Sequence, residues 1–428
     1  MKGTIHKLLN VSTYQRINSS TTQHINISTY QHINVSTAQR INNSTYQHIN
    51  NSALTMRLRK KQKAFVEAAA QNGGSLDSLF WQRFRSNRLA MASVFVIAFF
   101  TLVALLGYLI TPDHTPHCNQ QYLELASMKP FSRATFIYVD DGVEREHCGP
   151  LKTMLNGRPL DAEAIPVYAC RQEGDSIIAE TYTGSTPNDG ERLAFPADKV
   201  KQIRQRTFIL GTDTYGRDIL SQVMIGSRVS LSIGFIAVAI ALLIGILLGS
   251  LAAYYGRWVD SLIMWFLNVV WSIPTVLLVI AITFALGKGF WQVFIAVGLT
   301  MWVDVARVVR GQVLSIKEKE YIEAARALGY RTPRIIFRHI LPNITGPVTV
   351  ITASNFASAI LLEAGLSFLG IGVQPPMPSW GSMVKENYGQ ILLDSAYQAF
   401  IPGLAIMLIV LAFMLLGNGI RDALDIKN

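Results

Sequence analysis

Charged residues are scarce in this chain. Asp, Glu, Lys and Arg together make up 15% of its 428 residues, whereas soluble domains carry about 25%. Half of the residues are hydrophobic, and many of them lie in long runs without charge, which are typical of helices that cross a bilayer. The composition therefore argues against a soluble protein and predicts a polytopic membrane protein.

A nucleic-acid partner is also disfavoured, although the formal net charge is +10. The basic residues cluster at the ends of the apolar runs, where an excess of Lys and Arg sets the orientation of membrane helices. The net charge is therefore explained by membrane topology.

Motifs for catalysis and for nucleotide binding are missing as well. No catalytic arrangement stands out, and the turn Gly287-Lys288-Gly289 lacks the Gly-x-x-x-x-Gly-Lys-Ser/Thr pattern of a phosphate-binding loop. We therefore expect this chain not to be an enzyme and to bind no cofactor itself.

The chain has only three cysteines, Cys118, Cys148 and Cys170, all in one polar segment. One disulfide among them is expected if that segment faces an oxidising compartment, but the pairing stays open. Histidines lie near two of them, at His114, His117 and His147. No metal site is predicted, because adjacent His147 and Cys148 are poorly placed for joint ligation and no zinc-site spacing surrounds the other group.

An eight-residue repeat of the type Ser-Thr-Tyr-Gln-His-Ile-Asn fills residues 12–51. A period of eight keeps no helix face apolar, and one isoleucine per repeat cannot build a core. Residues 1–55 are therefore expected to be disordered, with a solenoid as the less favoured alternative. The repeat could also be upstream DNA read as coding sequence, so we hypothesise that translation of the native protein starts at Met56.

The predicted fold is an all-α polytopic membrane protein with six transmembrane helices. Residues 56–88 form a cytoplasmic segment in which Ser75 to Arg88 has the pattern of an amphipathic elbow helix, or of a soluble linker helix. Residues 111–227 form an extracytoplasmic insert between the first and second helices, and strand-like runs at Thr135–Val139 and Ser176–Ala179 predict that it is α+β.

The six spans are predicted at roughly 89–110, 229–254, 261–286, 291–308, 346–369 and 401–416, so that residues 228–428 form most of the membrane core. A strongly basic flank precedes the first span and holds that end in the cytoplasm. Because the number of spans is even, both termini are expected to be cytoplasmic.

A polar island, roughly Arg307 to Asn343, separates two long apolar segments. Lys317 to Leu328 consists of good helix formers, and Gly329 stands where the end of a helix needs a left-handed residue. Pro333 can start a second helix and Pro342 can end it. We therefore predict two short helices with a tight bend on the cytoplasmic side.

This island resembles the EAA loop of the membrane subunits of binding-protein-dependent ABC importers. The match rests on Glu323-Ala324-Ala325, Gly329 and Leu341-Pro342. The general family pattern has an apolar residue where this chain has His339, as the oligopeptide and dipeptide branch does. The resemblance implies that the loop at 309–343 docks into a groove of an ATPase subunit through those six residues. An ordinary cytoplasmic helical hairpin is the alternative.

Two further stretches resemble the same branch. Its signature ahead of the second span is present as Gly211-Thr212-Asp213-x-x-Gly216-Arg217-Asp218. Physically this is a turn followed by a helix cap, and a structural role is favoured over ligand contact. The passage from Ser367 to Gly381 is similar to the branch as well.

Three features of the spans are candidates for a transport pathway. Pro274 removes a helix hydrogen bond, so a kink there could widen a path or could be a static packing feature. Asp304 and Glu363 are ionisable, and such groups usually face a bundle interior or water. Asp304 lies one turn from Arg307 and could pair with it. Glu363 could meet the ammonium group of a peptide, although a hydrogen bond between helices is favoured.

The resemblance implies a permease subunit that forms half of the transmembrane pathway for oligopeptides or dipeptides in a bacterial plasma membrane. Its partners would be a homologous permease, two ATPase subunits that bind ATP and Mg, an extracytoplasmic solute-binding protein, the peptide substrate and membrane lipid. Nickel, glutathione and antimicrobial peptides are alternative substrates in this branch. From other classes, an ATP-independent secondary transporter or channel and a membrane-anchored receptor stay open.

Overall fold

The computed structural model describes residues 76–140, 142, 149–184, 187, 190–287 and 289–424. The repeat at 12–51, the hypothesised start at Met56, His147, Cys148 and Lys288 lie outside these residues. Helices make up most of the described chain, together with one antiparallel sheet. The prediction of a mostly helical membrane protein is confirmed.

The helices are α1 (Leu76–Ser86), α2 (Arg88–Ile110), α3 (Pro150–Asn156), α4 (Ile219–Tyr255), α5 (Arg257–Trp271), α6 (Thr275–Leu286), α7 (Phe290–Lys317), α8 (Glu320–Ala327), α9 (Thr332–Ile335), α10 (Thr345–Phe368), α11 (Trp380–Asn387) and α12 (Tyr397–Leu424). Five stretches of the described chain are long and apolar enough to cross a membrane: α2, α4, α7, the run Thr332–Phe368 and α12. The pair α5 and α6 adds a sixth if it is one bent span. Six spans are therefore reached only when that pair is counted as one.

A sharp bend interrupts the stretch in which one kinked helix was predicted. Helices α5 and α6 meet at 91°, across a break at residues 272–274. Pro274 has no N–H to continue the helix, and the next turn restarts with a hydrogen bond from Leu278 N to Pro274 O at 3.1 Å. The chain thus turns by 91° at this break, which is more than a kink within one helix.

Small residues allow α4 and α7 to pack closely. A Cβ atom on Gly245 would lie 2.5 Å from Val305 Cβ, and one on Gly249 would lie 2.5 Å from Ala306 O. These distances are shorter than real contacts of a Cβ atom, so only glycine permits this approach. The Gly-x-x-x-Gly pattern is therefore the point of contact between these helices.

Helix α1 packs against the ends of two membrane helices. Asn87 separates α1 from α2, and its side chain accepts hydrogen bonds from the N–H groups of Leu89 and Ala90 as a helix N-cap. Phe84 is buried in a cluster with Ala90 of α2 and Ala423 of α12. Helix α1 therefore lies where the first and last membrane helices meet.

The insert contains a five-stranded antiparallel sheet in the order β4-β3-β2-β1-β5. The strands are β1 (Ser132–Val139), β2 (Glu163–Glu173), β3 (Ser176–Thr181), β4 (Arg192–Pro196) and β5 (Val200–Phe208). Both strand-like runs noted in the sequence lie in this sheet, within β1 and β3. Phe136 and Phe208 are buried on one face together with Leu125, which precedes the sheet.

Candidate functional site

The polar island folds as a series of short helical turns directly after α7. Helix α8 ends at Ala327, and Gly329 follows with a φ of +75°, its N–H bonded to Arg326 O at 2.9 Å. The bend predicted at Gly329 is therefore present. Nothing lies within 4 Å of a Cβ atom built on Gly329, so the need for glycine comes from the backbone conformation alone.

Two expectations for this loop are wrong in detail. The helix predicted over Lys317 to Leu328 is interrupted, because α7 ends at Lys317 and α8 begins at Glu320. Pro342 does not end the second helix either. A π-helical turn at Ile336–Ile340 leads into a 3₁₀ turn at Leu341–Ile344, which continues into α10. Proline is tolerated there because it stands in the first turn of a new segment, where its missing N–H is not needed.

Alternate faces of α8 have different surroundings. Ile322 and Ala325 are buried in a core cluster with Val309 and Val313 of α7. On the other side, Glu323 and Ala324 are exposed, and no hydrogen bond within the described residues involves the Glu323 carboxylate. Helix α8 is thus packed firmly against α7 while it presents a polar face with a small side chain.

Large apolar side chains are also exposed in the loop after α8. Leu328 is 72% exposed and Phe337 is 68% exposed, although both belong to a largely polar loop. Pro342 is exposed, and Leu341 is partly buried. Leu328 and Phe337 are therefore accessible to a partner that binds this loop.

Charged side chains hold the loop to the membrane helices. Arg310 of α7 forms a two-pronged ion pair with Asp260 of α5, with both N–O distances at 2.6 Å. Lys317 Nζ donates to Ala253 O of α4 at 2.7 Å, and the Arg326 guanidinium lies 5.2 Å from the centre of the Tyr254 ring. If the loop were displaced, these contacts would transmit the displacement to α4, α5 and α7.

The signature turn at 211–218 is closed by Asp213. Its carboxylate accepts hydrogen bonds from the N–H groups of Tyr215 and Arg217 at 2.9 Å and from Arg217 Nε at 2.6 Å. Arg217 also donates to Asn119 Oδ1 at 3.1 Å and pairs with Glu386 of α11. Burial alone lowers the pKa of Arg217, but Asp213 and Glu386 raise it above its ordinary value.

The same turn connects the insert to the last membrane helix. The Thr212 hydroxyl accepts a hydrogen bond from Met128 N–H at 2.8 Å, and Thr212 O accepts one from Gln398 Nε2 of α12 at 3.0 Å. Tyr397 Oη donates to Met128 O at 2.7 Å. These contacts all lie within the chain, which favours the structural interpretation of the signature.

Gly216 and Asp218 complete the turn. Gly216 has a φ of +74°, and a Cβ atom there would lie 1.7 Å from Tyr122 O, so only glycine fits. Asp218 caps α4 by accepting a hydrogen bond from Ser221 N–H at 3.0 Å. Burial raises the pKa of the Asp218 carboxyl, although its hydrogen bonds with Ser221 act in the opposite direction.

Glu363 is fully buried between helices. Its carboxyl group accepts hydrogen bonds from Ser230 Oγ of α4 at 3.1 Å and from Ser367 Oγ at 2.8 Å. Ser367 Oγ in turn accepts one from Val373 N–H at 3.1 Å, in the loop after α10. Glu363 therefore makes hydrogen bonds between helices, the role favoured from the sequence, and offers no free face to a substrate.

Asp304 and Pro274 have a different setting. A cavity of about 470 Å³ lies between the α5–α6 break, α7 and α10, and Asp304 lines it together with the residues that flank Pro274. No ion pair joins Asp304 to Arg307 in the described chain. The Arg307 guanidinium instead stacks over the Trp271 ring, 4.2 Å from its centre.

The cysteine and histidine residues form no recognisable site in the part that the structure describes. Cys118 is buried, and its thiol donates to Asp113 O at 3.1 Å. Burial raises the pKa of this thiol. Cys118 and Cys170 are not bonded to each other. Among the described residues no group of three or more His, Cys, Asp or Glu side chains could hold a metal ion.

Sequence reasoning missed three residues that matter here: Asn355, Trp380 and Glu386. Asn355 lines the same cavity as Asp304, and an amide within an apolar helix was a signal that could have been used. Trp380 is fully buried and donates to Val223 O of α4 at 2.9 Å. No local pattern pairs Glu386 with Arg217, because 169 residues separate them.

Two family models match the chain. Residues 241–427 match the model described as binding-protein-dependent transport system inner membrane component, and residues 75–130 match the N-terminal TM domain of oligopeptide transport permease C. Neither match extends over residues 131–240, which include all five strands of the sheet.

Curated relatives agree with these matches. The dipeptide transport system permease protein DppC of Alkalihalophilus pseudofirmus is 44% identical over 51% of this chain and 71% of its own length. The glutathione transport system permease protein GsiD of Pectobacterium atrosepticum is 42% identical over 56% of this chain and 79% of its own length. The oligopeptide transport system permease protein OppC of Bacillus subtilis is 39% identical over 51% and 71%.

Solved structures resemble the chain more weakly. A chain of the MetNI methionine ABC transporter in an inward-facing conformation aligns with 49% of this chain and 98% of its own, at 17% identity and a TM-score of 0.40.

Proposed function

Because the chain belongs to the family of binding-protein-dependent transport system inner membrane components, we propose that it forms half of the transmembrane pathway of an importer for small peptides. The 44% identity to a dipeptide permease is the observation that supports this proposal most strongly. Oligopeptide and glutathione permeases are also relatives, and glutathione is itself a small peptide. A peptide substrate therefore agrees with the names of all three relatives.

The exposed face of α8 is the proposed contact with an ATPase subunit. Glu323 and Ala324 are exposed there, whereas Ala325 and Ile322 are packed against α7. If a groove of the ATPase subunit holds α8 and moves, α7 would therefore move as well. Asp304, which lines the cavity, belongs to α7. Gly329, Leu341 and Pro342 shape the turns that follow. ATP and Mg would be bound by the partner and not by this chain.

The remaining partners follow from the same proposal. A homologous permease would form the other half of the pathway, and a solute-binding protein would deliver peptide on the extracytoplasmic side. The protein is a multi-pass permease of the inner membrane. We place both termini and the 309–343 loop in the cytoplasm, and the sheet-containing insert on the opposite side, because basic residues outnumber acidic ones around the loop.

Affinity purification of the tagged chain, followed by mass spectrometry, tests the assembly. The expected result is a complex with two ATPase chains and a second permease. Reconstitution of that complex with its binding protein should give peptide uptake that requires ATP. Uptake by this chain alone in liposomes, driven by an ion gradient and without ATPase subunits, would overturn the proposal in favour of a secondary transporter.

A further inference from the structure

The cavity at the α5–α6 break has the size and the lining of a small-ligand site. Its volume of about 470 Å³ lies within the range of roughly 300–1,000 Å³ that is usual for ligand pockets. Most of its lining is apolar, including Trp271, Met301 and Leu366, and the polar side chains are few. Asp304 is about midway along α7, so the cavity lies near the middle of that membrane helix.

Among the residues that the structure describes, Asp304 is the only charged one that lines this cavity. Its carboxylate takes part in no hydrogen bond and no ion pair among the described residues. The nearest cation along the helix, Arg307, lies over the Trp271 ring instead. The Asp304 side chain is itself exposed, so a cation that enters the cavity can reach its carboxylate, and such a pair would stabilise an acid among apolar membrane residues.

Asn355 supplies a second polar group to the same cavity. Its side chain is only 4% exposed, and its Nδ2 atom is buried without a hydrogen-bond partner. A buried amide donor without an acceptor is costly, and a ligand carbonyl would satisfy it. The cavity therefore combines an unpaired acid with an unpaired donor.

We propose that Asp304 binds the protonated amino group of the transported substrate and that Asn355 donates to a carbonyl of the same substrate. This inference rests on the proposed function, and it names the chemical class that the pathway prefers: a peptide with a free amino terminus. A metal ion fits less well, because one carboxylate and one amide are too few ligands for a divalent cation.

The test compares two probes in the reconstituted complex with its binding protein and ATPase subunits. The probes are trialanine and N-acetyl-trialanine, which differ in the charge of the amino terminus. The variants are Asp304→Asn, Asp304→Glu and Asn355→Leu. Asp394→Asn serves as a matched control, because Asp394 is an exposed acid outside the cavity.

Asp304→Asn should lower ATP-driven trialanine uptake by about tenfold or more, since it removes the negative charge that pairs with the ammonium group of the substrate. The acetylated probe has no ammonium group, so its uptake by the wild type should be lower than that of trialanine, and Asp304→Asn should not lower it further. Asp304→Glu should retain most trialanine uptake. Asn355→Leu should reduce uptake of both probes, which share the carbonyl groups.

Other results would overturn the inference in distinguishable ways. Equal trialanine uptake by Asp304→Asn and the wild type contradicts the ammonium contact and leaves the peptide importer intact. Equal losses for both probes would mean that Asp304 has only a structural role. If the wild-type complex takes up neither peptide but takes up Ni²⁺, both the peptide function and this inference are wrong.

Discussion

Two buried acidic residues of this protein have several hydrogen-bond donors around them. Glu363 has no exposed surface, yet two serine hydroxyls from different helices donate to it. Asp213 accepts three hydrogen bonds within one turn and neutralises Arg217. Asn355 and Asp304 are the contrast, since both lack such partners among the described residues. Of the seven described residues with a buried side-chain N or O atom that lacks a partner, only Asn355 lines the cavity, together with the exposed Asp304.

Replacement of Glu363 with alanine should destabilise the protein. It leaves the hydroxyls of Ser230 and Ser367 without their acceptor inside the bundle, which costs about 1–3 kcal/mol. Glu363→Gln is the matched control, because its amide oxygen can still accept. The melting temperature of the purified protein in detergent should fall clearly for alanine and little for glutamine. Equal melting temperatures would contradict a structural role for Glu363.

Asp218 predicts a pH dependence. Burial raises the pKa of its carboxyl above the unfolded value, so its favourable contribution exists at low pH and is lost as the pH rises through the folded pKa. Asp218→Asn can keep the helix cap without this titration. The melting temperature of the variant relative to the wild type should therefore rise as the pH increases above about 4, the ordinary pKa of an aspartate. A difference that stays constant with pH would show that Asp218 has an ordinary pKa.

At the element scale, the loop after α7 combines a rigid attachment with an exposed face. The attachment is apolar packing of α8 on α7 and the ion pair between Arg310 and Asp260. The bend at Gly329 sets the direction in which the chain leaves α8. Two variants test two physical causes at this scale. One is the backbone conformation at Gly329, and the other is the close packing of α4 on α7.

Gly329→Val should impair coupling through backbone strain. A left-handed conformation costs roughly 1–2 kcal/mol for an ordinary L-residue and more for a β-branched one. No neighbouring atom lies within 4 Å of the added Cβ, so a steric clash is not the cause. Gly329→Asn, which tolerates this conformation, is the control. We expect ATP-driven uptake and ATPase co-purification to fall for valine and to persist for asparagine; full activity of the valine variant would exclude this role.

Gly249→Ala should separate α4 from α7. The added Cβ would lie 2.5 Å from Ala306 O, and overpacking of this kind costs about 1–3 kcal/mol. Gly311→Ala on α7 is the control, because nothing lies within 4 Å of its Cβ. The melting temperature should drop for Gly249→Ala and stay level or rise for Gly311→Ala. Similar changes of the melting temperature in both variants would mean that helix propensity, and not close packing, determines the effect of adding a methyl group.

At the scale of the whole molecule, the sheet-containing insert and the helix bundle are one connected structure. The turn at 211–218 binds the segment before β1 through Met128, α11 through Glu386 and α12 through Gln398. Burial of these polar groups makes the junction stiff, because separation would leave each of them unpaired.

The side of the membrane that the insert occupies can be tested with Cys170. This residue is partly exposed on β2, whereas Cys118 is buried. In a Cys118→Ser, Cys148→Ser background, a membrane-impermeant maleimide should label Cys170 in cells whose outer envelope is permeabilised while the inner membrane stays intact. Arg331→Cys, placed at an exposed position of the loop after α8 in a background with no other cysteine, should be labelled only after the inner membrane is permeabilised. The reverse pattern would invert the proposed topology.

The sequence by itself determined the membrane class, the family, the strand-like runs of the insert and the position of the bend at Gly329. Each of these depends on residues close together in the chain: long apolar runs, alternating strands, and glycine or proline at turns. The run through Pro342 was predicted wrongly, because a π-helical turn and a 3₁₀ turn replace the regular helix that proline would have ended.

Only the tertiary structure decided which of the two membrane acids lacks a hydrogen-bond partner within the described chain. Glu363 and Asp304 look alike in sequence, as single acids in apolar helices, but Ser230 reaches Glu363 across 133 residues while Arg307 turns away from Asp304 to Trp271. Packing creates such partnerships between distant segments, and no local pattern records them. The same reason explains why the pair of Arg217 with Glu386, and the cavity beside Asn355, could not be read from the sequence.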